Sequence, residues 1–530
     1  MKTFVLVICF IVLVSVCSSS AEVPRSWGDL KPGPYAVGFK VKFQYDYSRT
    51  FQPKYDFEGK PASGPRARPI QTLIWYPSEV QNGKQLLYRD YVYLLANELN
   101  FNPPSEEQKQ QSLQQYIQQR TNIFGATEQG VKELLPMQTA AILNATAAEG
   151  KFPLLVYAPG AGGSAFENSV FCEYMASHGY IVAALPSLGA YARPATVDLT
   201  GFYAYMQDIE FVIGSMHDFP SLDPDRLGLI GFSMGGSAAT LVQMRNTDID
   251  AVVYLDTGIV FNIVDTWFKP SNYYDLNNLR APQLYLTRSD SPEINPNFLD
   301  TINYADSYSV MFDSGYRHPD FMAEGMFAGL IPDYLATKPQ KDPKLLFETV
   351  CNQAHHFLDG FVKKDSSKLM FLESKPEQVG LSAGFFAVEH KKALVAPPRD
   401  YEIAQIVRTQ RSVQRIREIY ETANKQNPRI PVLREATMNQ LGYEFLFGGN
   451  TPLATEIFKL NVEAFPKSAN VYDSLANAYE IAGDRERAIQ LSRKSLELLD
   501  ADTGINEQRR ALIRRSSEER LRKLDTQAQQ

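Results

Sequence analysis

A serine flanked by glycines is the residue of this sequence best placed to act as a nucleophile. Ser233 lies within the segment GFSMGG, residues 231–236, which directly follows an apolar strand pattern over 227–230 and precedes a helix rich in small residues. Glycines beside the serine permit a turn so tight that larger side chains would collide with the neighbouring strands. The segment therefore predicts a strained turn between a strand and a helix, with the Ser233 hydroxyl exposed at the edge of a sheet.

A serine hydroxyl needs a general base to become a good nucleophile, and the chain contains six histidines. His318 follows a strand pattern over 308–312 and a polar turn, so we expect it at the same sheet edge as Ser233. The other five are expected at the opposite edge, inside a helix or beyond the sheet: His178, His217, His355, His356 and His390. Elimination leaves His318 as the predicted base.

The base requires a carboxylate that orients its ring and stabilises its charged form. Asp256 ends the strand pattern that follows the one carrying Ser233, and Asp290 follows the next strand pattern along the chain. Both aspartates are expected at the correct edge, and both give the chain order Ser, Asp, His. Spacing alone leaves Asp256 and Asp290 as alternatives.

Attack on a carbonyl creates an oxyanion that needs backbone N–H donors. The glycine-rich segment APGAGG, residues 158–163, follows the first strand of the parallel run, where the Ala161 amide can meet the Met234 amide across the site. A phosphate-binding loop is the alternative, but the segment lacks both the Lys-Ser/Thr ending of a P-loop and the pattern G-x-G-x-x-G. The predicted oxyanion donors are therefore Ala161 and Met234.

The elements that must hold these residues alternate between short apolar strands and amphipathic helices from residue 153 onward. Such alternation predicts an α/β fold with a mostly parallel central sheet covered by helices on both faces. Further strand patterns precede it at 37–47 and 70–76. Residues from about 85 to 135 lack strand signals and are rich in Gln and Glu, which predicts a helical insertion.

The strand signals stop near residue 400, and the region 401–530 is helical and charge-rich. Apolar and small residues recur there with a period of 34 residues that resembles tetratricopeptide repeats. The matching positions are Leu441, Gly442, Phe445, Ala454, Phe458 and Pro466, then Leu475, Ala476, Tyr479 and Ala488. We expect an all-α domain on which a protein partner can bind, with helices near 407–423 and 507–523 extending or capping it.

The N-terminus and the charge balance restrict where and on what the chain acts. A lysine, an apolar run and small residues before Glu22 predict a secretory signal peptide over residues 1–21, followed by a domain over 22–400. The apolar run is shorter than the ~20 residues that span a bilayer, so no membrane segment is expected after cleavage. We therefore expect a secreted or periplasmic protein. Bulky Val16 disfavours lipid attachment at Cys17. A net charge of −7 argues against nucleic-acid binding.

Two cysteines, Cys172 and Cys351, remain after removal of the signal peptide. A disulfide between them and two buried free thiols are both compatible with export. The chain contains neither Cys-x-x-Cys nor His-Glu-x-x-His, so neither a metal nor an organic cofactor is predicted.

Several of these segments together resemble the plasma-type platelet-activating-factor acetylhydrolase branch of the α/β-hydrolases, which is related to dienelactone hydrolases. The segments are residues 75–77, 152–156, 159–162, 231–236, 255–256 and 318–321, within a similarity that covers roughly 35–365. The resemblance implies that Asp256 rather than Asp290 is the acid, and that the amides of Ala161 and Met234 are the oxyanion donors. Pro159 departs from the histidine usual at its position. Residues 85–135 and the repeats are additional to the family pattern.

The expected function is that of an exported serine hydrolase that cleaves small carboxylic esters through an acyl-enzyme. Phospholipid-acetyl esters, which would place it in lipid degradation, short-acyl esters and aryl esters are the candidate substrates. One alternative keeps the triad but cleaves peptides or amides. The other is a partner-binding scaffold that uses the helical repeats.

Overall fold

A computed structural model describes residues 23–526, except 56–57, 62–63, 80–82, 193, 258–268, 292–293, 296 and 427–431. The predicted signal peptide over 1–21, including Cys17, lies outside the described residues. The chain divides into two compact units, Met1–Leu394 and Val395–Gln530. No helix among the described residues is both long and apolar enough to cross a membrane.

One mixed sheet forms the centre of the first unit. Its strands are β1 Ala36–Thr50, β2 Ala67–Ser78, β3 Gln85–Leu87, β4 Gln138–Leu143, β5 Phe152–Ala158, β6 Ile181–Ala184, β7 Leu222–Phe232, β8 Ala251–Leu255, β9 Gln283–Arg288, β10 Ser307–Phe312 and β11 Phe386–Lys391. Their spatial order is β11-β10-β9-β8-β7-β5-β6-β2-β1-β4-β3. The six neighbours from β10 to β6 run parallel to one another. The predicted mostly parallel α/β sheet is therefore confirmed.

Helices cover both faces of this sheet. They are α1 Tyr88–Val92, α2 Glu106–Phe124, α3 Glu128–Leu134, α4 Ser169–Ser177, α5 Leu199–Ser215, α6 Met234–Arg245, α7 Ala323–Leu330, α8 Pro343–Phe361 and α9 Leu369–Leu372. One apolar core includes side chains of α4, α7 and α8, and a second includes those of α5 and α6. Every residue of β5 and β8 is buried, because the central strands meet a core on each side.

Two sequence-based expectations about the sheet are wrong. The segment 85–135 carries helices α1 to α3 as expected, but it begins with β3, which pairs with β4 at the sheet edge. His390 was expected beyond the sheet, yet it lies in β11, where its ring stacks on Tyr308 with centroids 3.9 Å apart. Both strands lie at the edges of the sheet and are only partly buried, so they carry little of the apolar pattern that identifies a central strand.

The second unit is helical. Its helices are α10 Asp400–Gln410, α11 Gln414–Gln426, α12 Glu435–Phe447, α13 Thr451–Ala464, α14 Ala469–Ile481, α15 Arg485–Leu498 and α16 Glu507–Thr526. A Cβ at Gly442 would lie 2.4 Å from the Phe458 ring, so α12 and α13 approach closely at a position that requires glycine. Ala454, Ala476 and Ala488 are fully buried. A tetratricopeptide-like arrangement of these helices stays a prediction.

Candidate active site

Ser233 occupies a strained turn between β7 and α6. Its φ of 51° and ψ of −124° lie in a backbone region that residues other than glycine rarely adopt. A Cβ on Gly235 would lie 2.0 Å from the carbonyl oxygen of Ala158, and one on Gly231 would lie 2.3 Å from the Cα of Gly236. The glycines therefore let the turn pass directly over the end of β5, as the sequence pattern indicates.

Hydrogen bonds from the next strand hold this turn in place. The backbone N–H of Ser233 donates to the carbonyl of Leu255 at 3.3 Å, and the hydroxyl of Thr257 donates to the carbonyl of Ser233. Ser233 is the N-cap residue of α6 and is partly exposed, whereas the following Met234 is buried. Ser233 therefore has a strained backbone and also lies at the positive end of the α6 helix dipole.

A carboxylate and an imidazole meet at the same edge of the sheet. Asp256 follows β8 directly, is completely buried and has a φ of 44°. Its Oδ2 lies 2.6 Å from Nδ1 of His318, which begins a short 3-10 turn after β10. The other predicted acid, Asp290, instead accepts a hydrogen bond from the backbone N–H of Gly315 at 3.0 Å. The geometry brings His318 together with Asp256.

The imidazole of His318 is fixed on two sides. Its ring stacks on Phe232, the residue before Ser233, with centroids 4.5 Å apart and planes at 26°. The preceding Arg317 forms an ion pair with Asp320 at 2.6 Å, which fastens the turn that carries the histidine. His318 remains 35% exposed, so its ring combines a fixed orientation with access from solvent.

An arginine that sequence reasoning missed completes the surroundings of the acid. Arg288, the last residue of β9, donates from Nε to Oδ2 of Asp256 at 2.8 Å and from its backbone N–H to Oδ1 at 3.3 Å. Asp256 Oδ2 is therefore shared between His318 and Arg288. No spacing signal marks Arg288, because the register between β8 and β9 places it beside the aspartate.

The glycine-rich loop over residues 159–163 crosses the end of β5 next to Ser233. A Cβ on Gly160 would lie 3.4 Å from Cβ of Ser233, which shows how closely the loop approaches the turn. The hydroxyl of Tyr205 donates to the carbonyl of Pro159 at 2.9 Å, and the backbone N–H of Ser187 donates to the carbonyl of Gly163 at 2.9 Å. Ala161, one of the two predicted oxyanion donors, lies at the centre of this loop.

The segment that supports this loop is itself held by a buried ion pair. Arg68 and Asp208, at 3% and 1% side-chain exposure, contact each other through two hydrogen bonds. The Arg68 guanidinium also donates to the carbonyls of Leu188 at 3.0 Å and Gly189 at 2.8 Å. These contacts fix residues 187–189, to which the 159–163 loop is bonded.

The remaining histidines lie away from this cluster. His178 and His355 face each other with ring centroids 3.9 Å apart, and His356 stacks on Phe371. Burial and the neighbouring His355 lower the pKa of His178 to about 3. Cys172 and Cys351 are both buried free thiols, which corresponds to one of the two states that the sequence allows. The described part of the chain contains no group of three side chains that could hold a metal ion.

Comparisons with known proteins find similarity over part of the chain. Residues 103–188 match the family model of platelet-activating factor acetylhydrolase, isoform II. No curated protein is significantly similar to the chain in sequence. Among solved structures, the chain is similar to a ferulic acid esterase from Streptomyces cinnamoneus with 20% identity and a TM-score of 0.47, over 68% of this chain and 97% of that one.

The family match begins inside the segment that was expected to be foreign to the family. It covers α2, α3, β4, β5, the 159–163 loop, α4 and β6. The expectation that all of residues 85–135 are additional to the family pattern is therefore wrong for the part from 103 onward. The match supports the sequence-based prediction of a carboxylic ester hydrolase with an α/β-hydrolase type of fold.

Proposed function

We propose that this chain hydrolyses carboxylic esters with Ser233 as nucleophile, His318 as general base and Asp256 as the acid that orients it. The observation that carries the proposal is the 2.6 Å contact between His318 Nδ1 and Asp256 Oδ2, at the sheet edge where Ser233 occupies its strained turn. The partial match to an acetylhydrolase family supports the same reaction class.

Acylation begins when His318 Nε2 accepts the proton of the Ser233 hydroxyl as the oxygen bonds to the ester carbonyl carbon. The carbonyl electron pair moves onto the oxygen, where the backbone N–H groups of Ala161 and Met234 stabilise the oxyanion. Asp256 holds the imidazole by its Nδ1 side and stabilises the positive charge that the ring gains. Ala161 lies on the glycine-rich loop, and Met234 is the first residue of α6, directly after the turn that glycines shape.

Collapse of the oxyanion breaks the bond to the leaving alkoxide oxygen, which receives the proton from His318. A water molecule then attacks the acyl-enzyme while His318 accepts its proton, and the carboxylic acid leaves as Ser233 regains its hydroxyl. The scheme uses neither a metal ion nor an organic cofactor. The proposed substrates are short-acyl, aryl or phospholipid-acetyl esters.

The remaining parts of the proposal concern the ends of the chain. We propose that residues 1–21 direct export and that the second unit carries tetratricopeptide-like repeats. The 34-residue recurrence of small residues and the close approach at Gly442 support the repeats. The proposal also includes a protein partner that binds this unit.

The test compares the wild type with Ser233→Ala on p-nitrophenyl acetate and on a matched p-nitroanilide. We expect turnover of the ester to fall on the order of a millionfold in the variant, because the triad acts as a unit. Full ester turnover by Ser233→Ala would contradict the enzymatic proposal, and a preference for the anilide would favour an amidase. Asp256→Asn should lower kcat far more than Asp290→Asn, and the reverse would exchange their roles.

A further inference from the structure

A buried glutamate that the proposed triad does not use lies against the 159–163 loop. Glu167 is 5% exposed and is found two residues before α4 begins. Its Oε1 accepts hydrogen bonds from the backbone N–H of Gly160 at 2.9 Å and from the hydroxyl of Tyr157 at 2.9 Å. Because Tyr157 belongs to β5, the carboxyl connects the loop to the strand beneath it.

The other carboxyl oxygen determines how tightly the loop can close. A Cβ on Gly163 would lie 2.3 Å from Oε2 of Glu167, so only glycine lets the loop fold over the carboxyl. The backbone N–H of Gly163 donates to the carbonyl of Gly160 at 2.9 Å. Residues 160–163 therefore form a closed turn around the glutamate side chain.

This turn sets the direction of the Ala161 N–H. The carbonyl of Gly160 and the N–H of Ala161 belong to one planar trans peptide unit, in which the two groups point in opposite directions. Since the Gly160 carbonyl is directed at Gly163 inside the turn, the Ala161 N–H points out of it. A loop released from Glu167 loses the hydrogen bond that holds the Gly160 amide, so the turn can shift and move the Ala161 donor away from the oxyanion.

Burial of Glu167 favours the uncharged form of its carboxyl. The titratable and charged groups that face it from the packed elements are Tyr157, Cys172, Tyr205, Arg120 and His318. Burial raises the pKa of Glu167 to about 7 against the opposing effect of its hydrogen bonds. A neutral carboxyl still accepts both hydrogen bonds, and it places no negative charge beside a developing oxyanion.

We propose that Glu167 is a positioning residue for ester hydrolysis, which holds the 159–163 loop so that the Ala161 N–H is available to the oxyanion. The inference rests on the proposed function, since it requires an oxyanion formed by attack of Ser233. Glu167 acts through the Gly160 amide and does not itself contact the substrate.

The test uses the full chain with Glu167→Gln and Glu167→Ala. The glutamine variant keeps a carbonyl oxygen for both donors, so we expect it to retain nearly wild-type kcat. The alanine variant frees the loop, and its kcat should fall about 10²- to 10³-fold, the range for losing one oxyanion donor, while KM changes little. Equal kcat in the alanine variant and the wild type would overturn the inference.

A matched control separates positioning from general damage. Glu173 is 1% exposed on α4 and accepts hydrogen bonds from Trp27, Tyr91 and Ala140, none of which belongs to the loop. Glu173→Ala should lower stability but leave kcat of the folded protein unchanged. If Glu167→Ala and Glu173→Ala reduce kcat equally, Glu167 has only a structural role. If Glu167→Ala does not fold, Gly163→Ala is the second test variant. Its Cβ pushes the loop away from the Glu167 carboxyl, so the inference requires its kcat to fall.

A fluorophosphonate probe distinguishes failure of this inference from failure of the proposed function. The probe should label the wild type at Ser233, leave Ser233→Ala unlabelled and react more slowly with Glu167→Ala. A wild type without labelling at Ser233 would contradict the proposed function itself. Normal labelling of Glu167→Ala, together with wild-type kcat, would contradict only the role of Glu167.

Discussion

The burial of Glu167 predicts a pH dependence of stability that a single amide substitution should remove. Burial raises the pKa of this carboxyl from its ordinary 4.5 to about 7. An acid with a higher pKa in the folded chain than in the unfolded chain binds its proton more tightly when folded. Its stabilising contribution is therefore complete below pH 4.5 and is lost as the pH rises through about 7.

The size of this effect follows from the two pKa values. Each pKa unit corresponds to about 1.4 kcal/mol, so the interval from 4.5 to about 7 is worth about 3 kcal/mol of unfolding free energy. Glu167→Gln cannot titrate and should lack this contribution. The difference in unfolding free energy between wild type and variant should thus shift in favour of the wild type by about 3 kcal/mol between pH 8 and pH 4.5.

Urea denaturation followed by tryptophan fluorescence measures this difference, because Trp27 and Trp75 are buried in the first unit and the sequence has no tryptophan after residue 394. Titrations at several values from pH 4.5 to 8 give the unfolding free energy of each protein. Glu107→Gln, at an exposed position of α2, is the control and should follow the wild type. Parallel curves for wild type and Glu167→Gln would refute the assignment of a raised pKa to this buried carboxyl.

Three further substitutions test the supports of the site. Arg288→Met removes a charged hydrogen bond from Asp256 and should lower kcat about 10- to 100-fold, measured on an ester substrate; unchanged kcat would show that Arg288 is dispensable. Gly235→Ala should lower the fraction of folded protein, measured by circular dichroism, because its Cβ has no space in the turn, and a stable variant would contradict this packing. Asp208→Asn removes the negative charge that pairs with the buried Arg68 and with Arg49, and it should cost about 3–5 kcal/mol in urea denaturation, a loss that Leu222→Val should not reproduce.

The Ser233 turn was the part of the site that the sequence predicts most directly. Its backbone conformation depends on glycines within three residues, so local sequence carries the information. The expected placement of His318 at the same edge needed only the rule that parallel strands end together. Choosing between Asp256 and Asp290 needed more, because both follow strands at that edge and only the path of the His318 loop separates them.

The roles of Arg288 and Glu167 could not be predicted from spacing. Arg288 reaches Asp256 through the pairing of β8 with β9, which is a long-range property of the sheet. In the sequence, nothing distinguishes Glu167 from other residues near the start of a helix, because its contact with Gly160 forms only when the loop folds back over it. Strand β11, which carries His390, was not predicted for a related reason, because its place in the sheet depends on pairing with β10 rather than on its own sequence pattern.

The two buried acids of the site, Asp256 and Glu167, have different partners. Asp256 forms an ion pair with Arg288 and contacts the imidazole of His318, an environment suited to a negative charge that stabilises an imidazolium. Glu167 receives its hydrogen bonds from an amide and a phenol, with a pKa raised by burial, an environment suited to a neutral acid. In the proposed reaction, negative charge moves from Ser233 to an oxyanion beside the Glu167 loop. An acid paired with Arg288 behind the histidine and a carboxyl whose neutral form is favoured by burial beneath the loop both favour that movement, because electrostatic stabilisation acts most strongly where water is excluded.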